Sequence, residues 1–183
     1  MKILIFGASG SGTTTLGREL EKQINFKHLD ADDYYWEKTN PPFQEKIPLI
    51  ERNKALKTDI EKYENVVVSG SLVSWGKEWT IAFDLAVFIY LKNEVRMERL
   101  KVRELERYGN ELLTDKKLQE KSKAFIEWAS KYDDPNFNGR SLKIHNEWIM
   151  KLNCPVLKLD GEEELEVKVK QVISQIEVLK RQP

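Results

Sequence analysis

Apolar residues fall along this chain in two rhythms. Lys2 to Phe6 is a short β-branched and apolar run that stops at Gly7, which predicts a buried strand feeding directly into a turn. Leu16, Leu20 and Ile24 then recur every four residues and predict a helix ending near Asn25. Phe26 to Leu29 reads as a second strand ending at Asp30, and Leu49, Asn53, Leu56, Ile60 and Tyr63 mark one helical face after it. Val66 to Val68 and Leu85 to Leu91 are apolar without alternation, the pattern of strands covered on both faces. A charged helix is predicted from Glu94 to Tyr108, a further one from Leu118, Phe125, Ala129 and Tyr132, and a loop from Asp133 to Gly139. Pro155 to Leu159 reads as a last strand, with Leu165, Val169, Val172, Ile176 and Leu179 as the core face of a closing helix. Alternating strands and helices predict an α/β fold in three layers, a five-stranded parallel sheet flanked by helices.

Composition narrows the setting. A chain of 183 residues with 40% apolar residues, five Trp, six Tyr and seven Phe fills one sizeable core, so residues 1–183 are expected to form a single domain. Lys and Arg total 30 and Asp and Glu total 30, so no global field draws in nucleic acid or an anionic membrane surface. Neither is an expected partner. Cys154 has no second Cys for a disulfide and no neighbours for a zinc site, which fits a small buried hydrophobe in a reducing compartment. The apolar start is too short for a signal peptide, and no run reaches bilayer length, so a cytoplasmic protein is expected.

The chemistry concentrates after the first strand. Gly7-Ala8-Ser9-Gly10-Ser11-Gly12-Thr13-Thr14 matches the phosphate-loop pattern G-x-x-x-x-G-K-[ST] at every position except the lysine, where Thr13 stands. Glycines let backbone N–H groups turn inward on phosphate, and the helix that follows presents its positive end there. Gly7, Ser9, Gly10, Ser11, Gly12, Thr13, Thr14 and Thr15 are therefore the expected phosphate-binding residues. A tight strand-to-helix turn is the plainer alternative. Loss of the lysine separates binding from catalysis, because charge gathers at that place in a phosphoryl-transfer transition state.

The loop together with His28-Leu29-Asp30-Ala31-Asp32-Asp33 resembles small P-loop kinases of the adenylate, shikimate and gluconate kinase kind, over most of the chain. It is closest to an adenylate-kinase-like group of uncharacterised proteins whose loop also reads GSGTTTLG before a Leu-Asp-x-Asp-Asp-x-Tyr-Trp segment. The resemblance implies a P-loop NTPase fold with a helical lid near residues 103–142. It also implies ATP and Mg²⁺ as cofactors, with Thr14 and Asp30 at the metal and Asp32 at the phosphate acceptor. Arg103 and Arg107 match the lid arginines that reach the transferred phosphate, and Arg140, in Asn138-Gly139-Arg140-Ser141, is a separate candidate. Lys131-Tyr132-Asp133-Asp134 only loosely matches the arginine-x-Asp-Asp stretch that follows such a lid.

Other residues carry weaker signals. Tyr34, Tyr35 and Trp36 could stack a ring or anchor a loop, and Tyr35 is taken as an acceptor contact. Ser71 and Trp75 follow the third strand, where open α/β sheets bind ligands, and are expected to face substrate. Arg96, Arg99, Arg103 and Arg107 share a helical face, with Val95, Val102 and Leu105 broadly opposite and Glu94, Glu98, Glu104 and Glu106 able to pair with them. His28 and His145 lack metal-ligand spacing.

Three functions stay open. The expected one is ATP-dependent phosphoryl transfer to a small-molecule hydroxyl or nucleotide phosphate. A non-catalytic nucleotide-binding module is the second. A dinucleotide-dependent oxidoreductase is the third and weakest, because the glycines run G-x-x-G-x-G instead of G-x-G-x-x-G. A GTPase is disfavoured by the lack of an N-K-x-D sequence.

Overall fold

In chain order the elements are β1 (Lys2–Gly7), α1 (Thr13–Gln23), β2 (Lys27–Asp30), α2 (Ala31–Tyr35), α3 (Leu49–Glu61), β3 (Val66–Ser69), β4 (Leu85–Tyr90), α4 (Asn93–Tyr108), α5 (Glu111–Thr114), α6 (Lys116–Ser130), α7 (Leu142–Ile149), β5 (Val156–Asp160) and α8 (Leu165–Lys180). The computed structural model describes residues 1–181. All strands are parallel, in the order β2-β3-β1-β4-β5. β3 therefore lies between β2 and β1. That order differs from a dinucleotide-binding sheet, in which the second strand neighbours the first.

The apolar strand runs have the predicted explanation. Ile3 and Ile5 point to one side of β1, with Leu16 and Leu20 of α1 and Val169, Val172 and Ile176 of α8. Leu4 and Phe6 point to the other, with Leu56 and Ile60 of α3 and Trp148 of α7. Burial on both faces leaves the strands no polar side. Because the strands are parallel and in register, Gly7, Asp30 and Ser69 end at one edge, where the helices that follow begin.

Three helices escaped the sequence reading, and one helix face is inverted. α2 and α5 have five and four residues, too short to show a period. α7 is masked by its composition, since His145 is one of its buried residues. On α4 the buried residues are Arg96, Leu100 and Glu104, while Val102 and Leu105 are 55% and 51% exposed. The arginine face thus turns inward, apart from exposed Arg99. Its partners explain the inversion. Arg96 donates to the Leu91 and Ala129 carbonyls, to Asn93 Oδ1 and to Asp133 Oδ2 at 2.7 Å, and Glu104 accepts from Ser122 of α6 and pairs with Arg107. A period drawn from apolar residues alone assigns such a polar interface to solvent. On α3, likewise, Leu49 and Tyr63 are exposed while Arg52 is buried.

Candidate active site

Gly7 to Thr15 leads from the end of β1 into α1. Gly10 and Gly12 have φ of 84° and 96°, a left-handed backbone that any other residue adopts at a cost. One turn bond, Ser11 N–H to the Ala8 carbonyl at 3.1 Å, closes the loop, and Leu16 N–H to the Gly12 carbonyl starts the helix. Among the described residues no side chain caps α1, and no protein acceptor meets the N–H groups of Gly10, Gly12, Thr13, Thr14 or Thr15. A Cβ on Gly12 would meet nothing within 4 Å, so these donors converge on open space. A Cβ on Gly7 would strike the Ile89 carbonyl and the Ser11 side chain. The arrangement suits an anion at a helix N-terminus.

Asp30 ends β2, on the strand-end side of the sheet that also carries this loop, and Asp32 follows in α2. Asp30 Oδ1 accepts from Asp32 N–H at 3.0 Å and so caps the short helix. Asp32 is exposed as a residue, while the groups packed around its carboxylate strip part of its hydration. Lost hydration and then the nearby Asp30 charge raise its pKa, while Arg140, Arg103 and Arg107 hold it back. The structure thus gathers Asp32 with three arginines far apart in sequence. Arg140 donates to Ser9 Oγ at 3.2 Å and lies 5.1 Å from the Trp128 ring, which places it between the loop and Asp32. Arg103 carries a buried Nε with no partner, and burial followed by the Arg107 charge lowers its pKa. Arg107 is already engaged, pairing with Glu104 at 3.2 Å and stacking on Phe43 at 3.9 Å.

The expected acceptor residues fare differently. Tyr35 is half-buried at the cleft. Trp75 is corrected: it is 2% exposed and packs in the core against Tyr35 and Trp79, because the turn after β3 folds under α3. Ser71 is corrected as well. It is 9% exposed, and its hydroxyl bonds to His145 Nε2 at 2.8 Å instead of facing the cleft. Sequence reasoning missed Arg52, whose guanidinium lies 4.3 Å from the Tyr35 ring and 4.7 Å from the Trp75 ring. It makes no ion pair among the described residues, and its buried Nε has no partner. Its signal was a lone arginine among helix positions that carry an apolar period.

For a divalent cation, the oxygen donors at hand are the Thr14 hydroxyl and the Asp30 carboxylate oxygen not used in capping. Among the described residues no three His, Cys, Asp or Glu side chains cluster as a metal cage. Such a sparse, all-oxygen set fits Mg²⁺, which keeps waters and takes ligands from a substrate phosphate. No helix among the described residues is long and apolar enough to cross a membrane.

Residues 3–124 match the family described as AAA domain. An uncharacterised protein of Bacillus subtilis, YqaC, is 42% identical over 93% of this chain and 94% of its own. A cytidylate kinase of Archaeoglobus fulgidus is 33% identical over 57% of this chain and 62% of its own. Among solved structures, a shikimate kinase from Bacteroides thetaiotaomicron superposes with a TM-score of 0.58 over 97% of this chain and 98% of its own, at 17% identity. A deoxyadenosine kinase from M. mycoides gives 0.56 over 97% and 100%, at 16% identity. The fold is that of these small P-loop kinases.

Proposed function

The chain belongs to the AAA domain family, and we propose that it transfers the terminal phosphoryl group of ATP to a small acceptor that carries an anionic group. One observation carries this reading: the charges of Arg140, Arg103 and Arg107 all bear on the Asp32 carboxylate, and Arg140 also touches the phosphate loop. The free N–H groups of Gly10, Gly12, Thr13, Thr14 and Thr15 hold the β-phosphate end of the nucleotide. Mg²⁺, held by Thr14 and Asp30, supplies charge neutralisation when bound. Asp32 orients the attacking oxygen of the acceptor and takes its proton where that oxygen is a hydroxyl. Arg103 and Arg140 meet the charge that spreads over the transferred group, and Arg107 joins them when it leaves Phe43. Arg52 binds the acceptor's anion, since a buried cation with no counter-charge is costly unless a ligand supplies one. Residues 103–142 act as the lid of a single domain. The loop Gly10 to Thr15 of its own sequence supports placing the chain in the adenylate-kinase-like group with a GSGTTT loop.

The test is a panel assay. ADP release with Mg²⁺-ATP is measured against nucleoside monophosphates, sugar acids and other small phosphates and carboxylates. Acceptor-dependent release that Asp32→Asn abolishes, with ATP affinity nearly kept, is expected. Thr13 favours one competing reading, a nucleotide-binding module without catalysis. Tight ATP binding with no transfer to any acceptor would establish that module instead.

A further inference from the structure

His145 has no place in the cleft, yet it is one of the most enclosed polar side chains in the chain. Its ring is wholly buried, with Phe6 and Phe88 packed edge-on at 5.4 and 5.9 Å. Nε2 lies 2.8 Å from Ser71 Oγ, and Nδ1 lies 2.7 Å from the Tyr132 hydroxyl. A neutral imidazole has one donor and one acceptor nitrogen, and each hydroxyl can serve either role, so both bonds form at once. The ring is thereby fixed to three separate pieces of chain. Phe6 is the last residue before Gly7, Ser71 follows β3, and Tyr132 lies in the 3₁₀ turn Lys131–Asp133.

Between that turn and α7 runs the irregular segment that carries Arg140. A long side chain on a loop loses much rotamer freedom when held to one geometry, so something rigid must define where it starts. Both flanks are tied down. Upstream, Arg96 grips Asp133 and the Ala129 carbonyl. Downstream, Ser141 caps α7 by accepting from Ile144 N–H, and His145 N–H closes the first turn on the Ser141 carbonyl at 3.0 Å. The imidazole then fixes that turn to the strand that delivers the phosphate loop.

We infer that His145 is a positioning residue, whose paired bonds to Ser71 and Tyr132 set Arg140 against Ser9 and the bound phosphates. The inference rests on Arg140 being a phosphate ligand, as proposed above. A histidine that only filled the core would affect stability and leave the action of Arg140 untouched. The two roles therefore part in a double-mutant cycle.

Mg²⁺-ATP affinity is measured by calorimetry for the wild type, Arg140→Ala, His145→Leu and the double variant, each checked for folding by circular dichroism. Arg140→Ala is expected to weaken binding roughly ten- to hundredfold, the range of a charge-assisted hydrogen bond. His145→Leu should lose part of that same affinity, and His145→Gln, which keeps a donor and an acceptor, should lose less. The double variant should bind no more weakly than Arg140→Ala alone. Additive losses, or wild-type affinity in folded His145→Leu, would overturn the positioning role while leaving the phosphate reading intact. Wild-type affinity in Arg140→Ala would refute the phosphate reading itself and the inference with it. If His145→Leu does not fold, Tyr132→Phe removes a single hydroxyl and enters the same cycle with the same two outcomes.

Discussion

The four arginines of α4 look alike in sequence, and the structure predicts that their replacement has opposite effects. Arg96 is fully buried, and its guanidinium makes four hydrogen bonds, one of them an ion pair to Asp133 at 2.7 Å. Arg96→Met keeps most of the volume but strips donors from two carbonyls and a carboxylate. Breaking a buried pair costs about 3–5 kcal/mol, and the 29% exposure of Asp133 lets water recover part of it, so about 3 kcal/mol is expected. For a domain of this size that is a fall of about 6–12 °C in Tm. Arg99 is exposed, and Arg99→Ala should stay within about 0.5 kcal/mol of the wild type. Among the described residues Arg103 has no ion pair, an unpartnered Nε and a like charge beside it, against one ring contact with Phe125 at 5.8 Å. Losing that contact and relieving the repulsion nearly cancel, so Arg103→Ala should change stability by less than about 1 kcal/mol. Its turnover should nevertheless fall on the order of 10³-fold. Urea unfolding followed by circular dichroism, beside ADP release from the same preparations, separates these outcomes. The reasoning fails if Arg96→Met unfolds like the wild type, or if Arg103→Ala is the less stable of the two.

Three further outcomes follow from single groups. Asp32 has a pKa raised above its ordinary 3.8, so the folded chain holds this proton more tightly and loses stability as pH rises through the raised value; Asp32→Asn should gain in unfolding midpoint over the wild type above that window and match it in acid. His145 is lowered from 6.5 to about 3, so the unfolded chain takes up a proton that the folded chain refuses; stability should fall on acidification across that window by up to about 1.4 kcal/mol per pH unit, and His145→Gln should flatten the curve. Gly12→Ala should fold with a loss of about 1–3 kcal/mol for its left-handed backbone and bind ATP poorly, whereas Gly7→Ala, which runs into the Ile89 carbonyl, should fail to fold stably by the same unfolding assay.

What could be read in advance was whatever repeats or sits next to its chemistry in sequence. The central strands and the long helices announce themselves by unbroken apolar runs or a four-residue period, and the glycine framework lies within nine consecutive residues. Asp30 could be placed in advance because it ends a strand, with Asp32 two positions after it. Arg52 and His145 could not be, since each is a polar residue buried by partners that lie 13 to 139 positions away, and no local pattern encodes those meetings. Trp75 misled for the opposite reason: a position at a strand's carboxyl end says where a residue begins and nothing about the fold of the turn that carries it. The inward arginines of α4 combine both failures, because their face is defined by the carbonyls and carboxylates of α6 and the turn after it.

The missing lysine is best understood through the same geometry. A loop lysine supplies one positive charge fixed to the strand that holds the nucleotide, and Thr13 removes it. Among the proposed substitutes, Arg140 is the one with a hydrogen bond to the phosphate loop itself, and its segment is pinned at both flanks, so its charge stays near the loop whether or not an acceptor is present. Arg103 has no such tether, and Arg107 is held by Glu104 and Phe43. On the proposed mechanism Arg140 therefore takes over the ground-state part of the lysine's work, and the α4 pair adds charge at the transition state. The two parts respond differently to substitution. Arg140→Ala should raise the Kd for ATP as well as lower turnover, while Arg103→Ala should lower turnover with the Kd for ATP nearly unchanged. Thr13→Lys should restore ATP affinity to Arg140→Ala and leave Arg103→Ala as slow as before. If Thr13→Lys rescued both variants equally, the division of charge between loop and lid would be wrong.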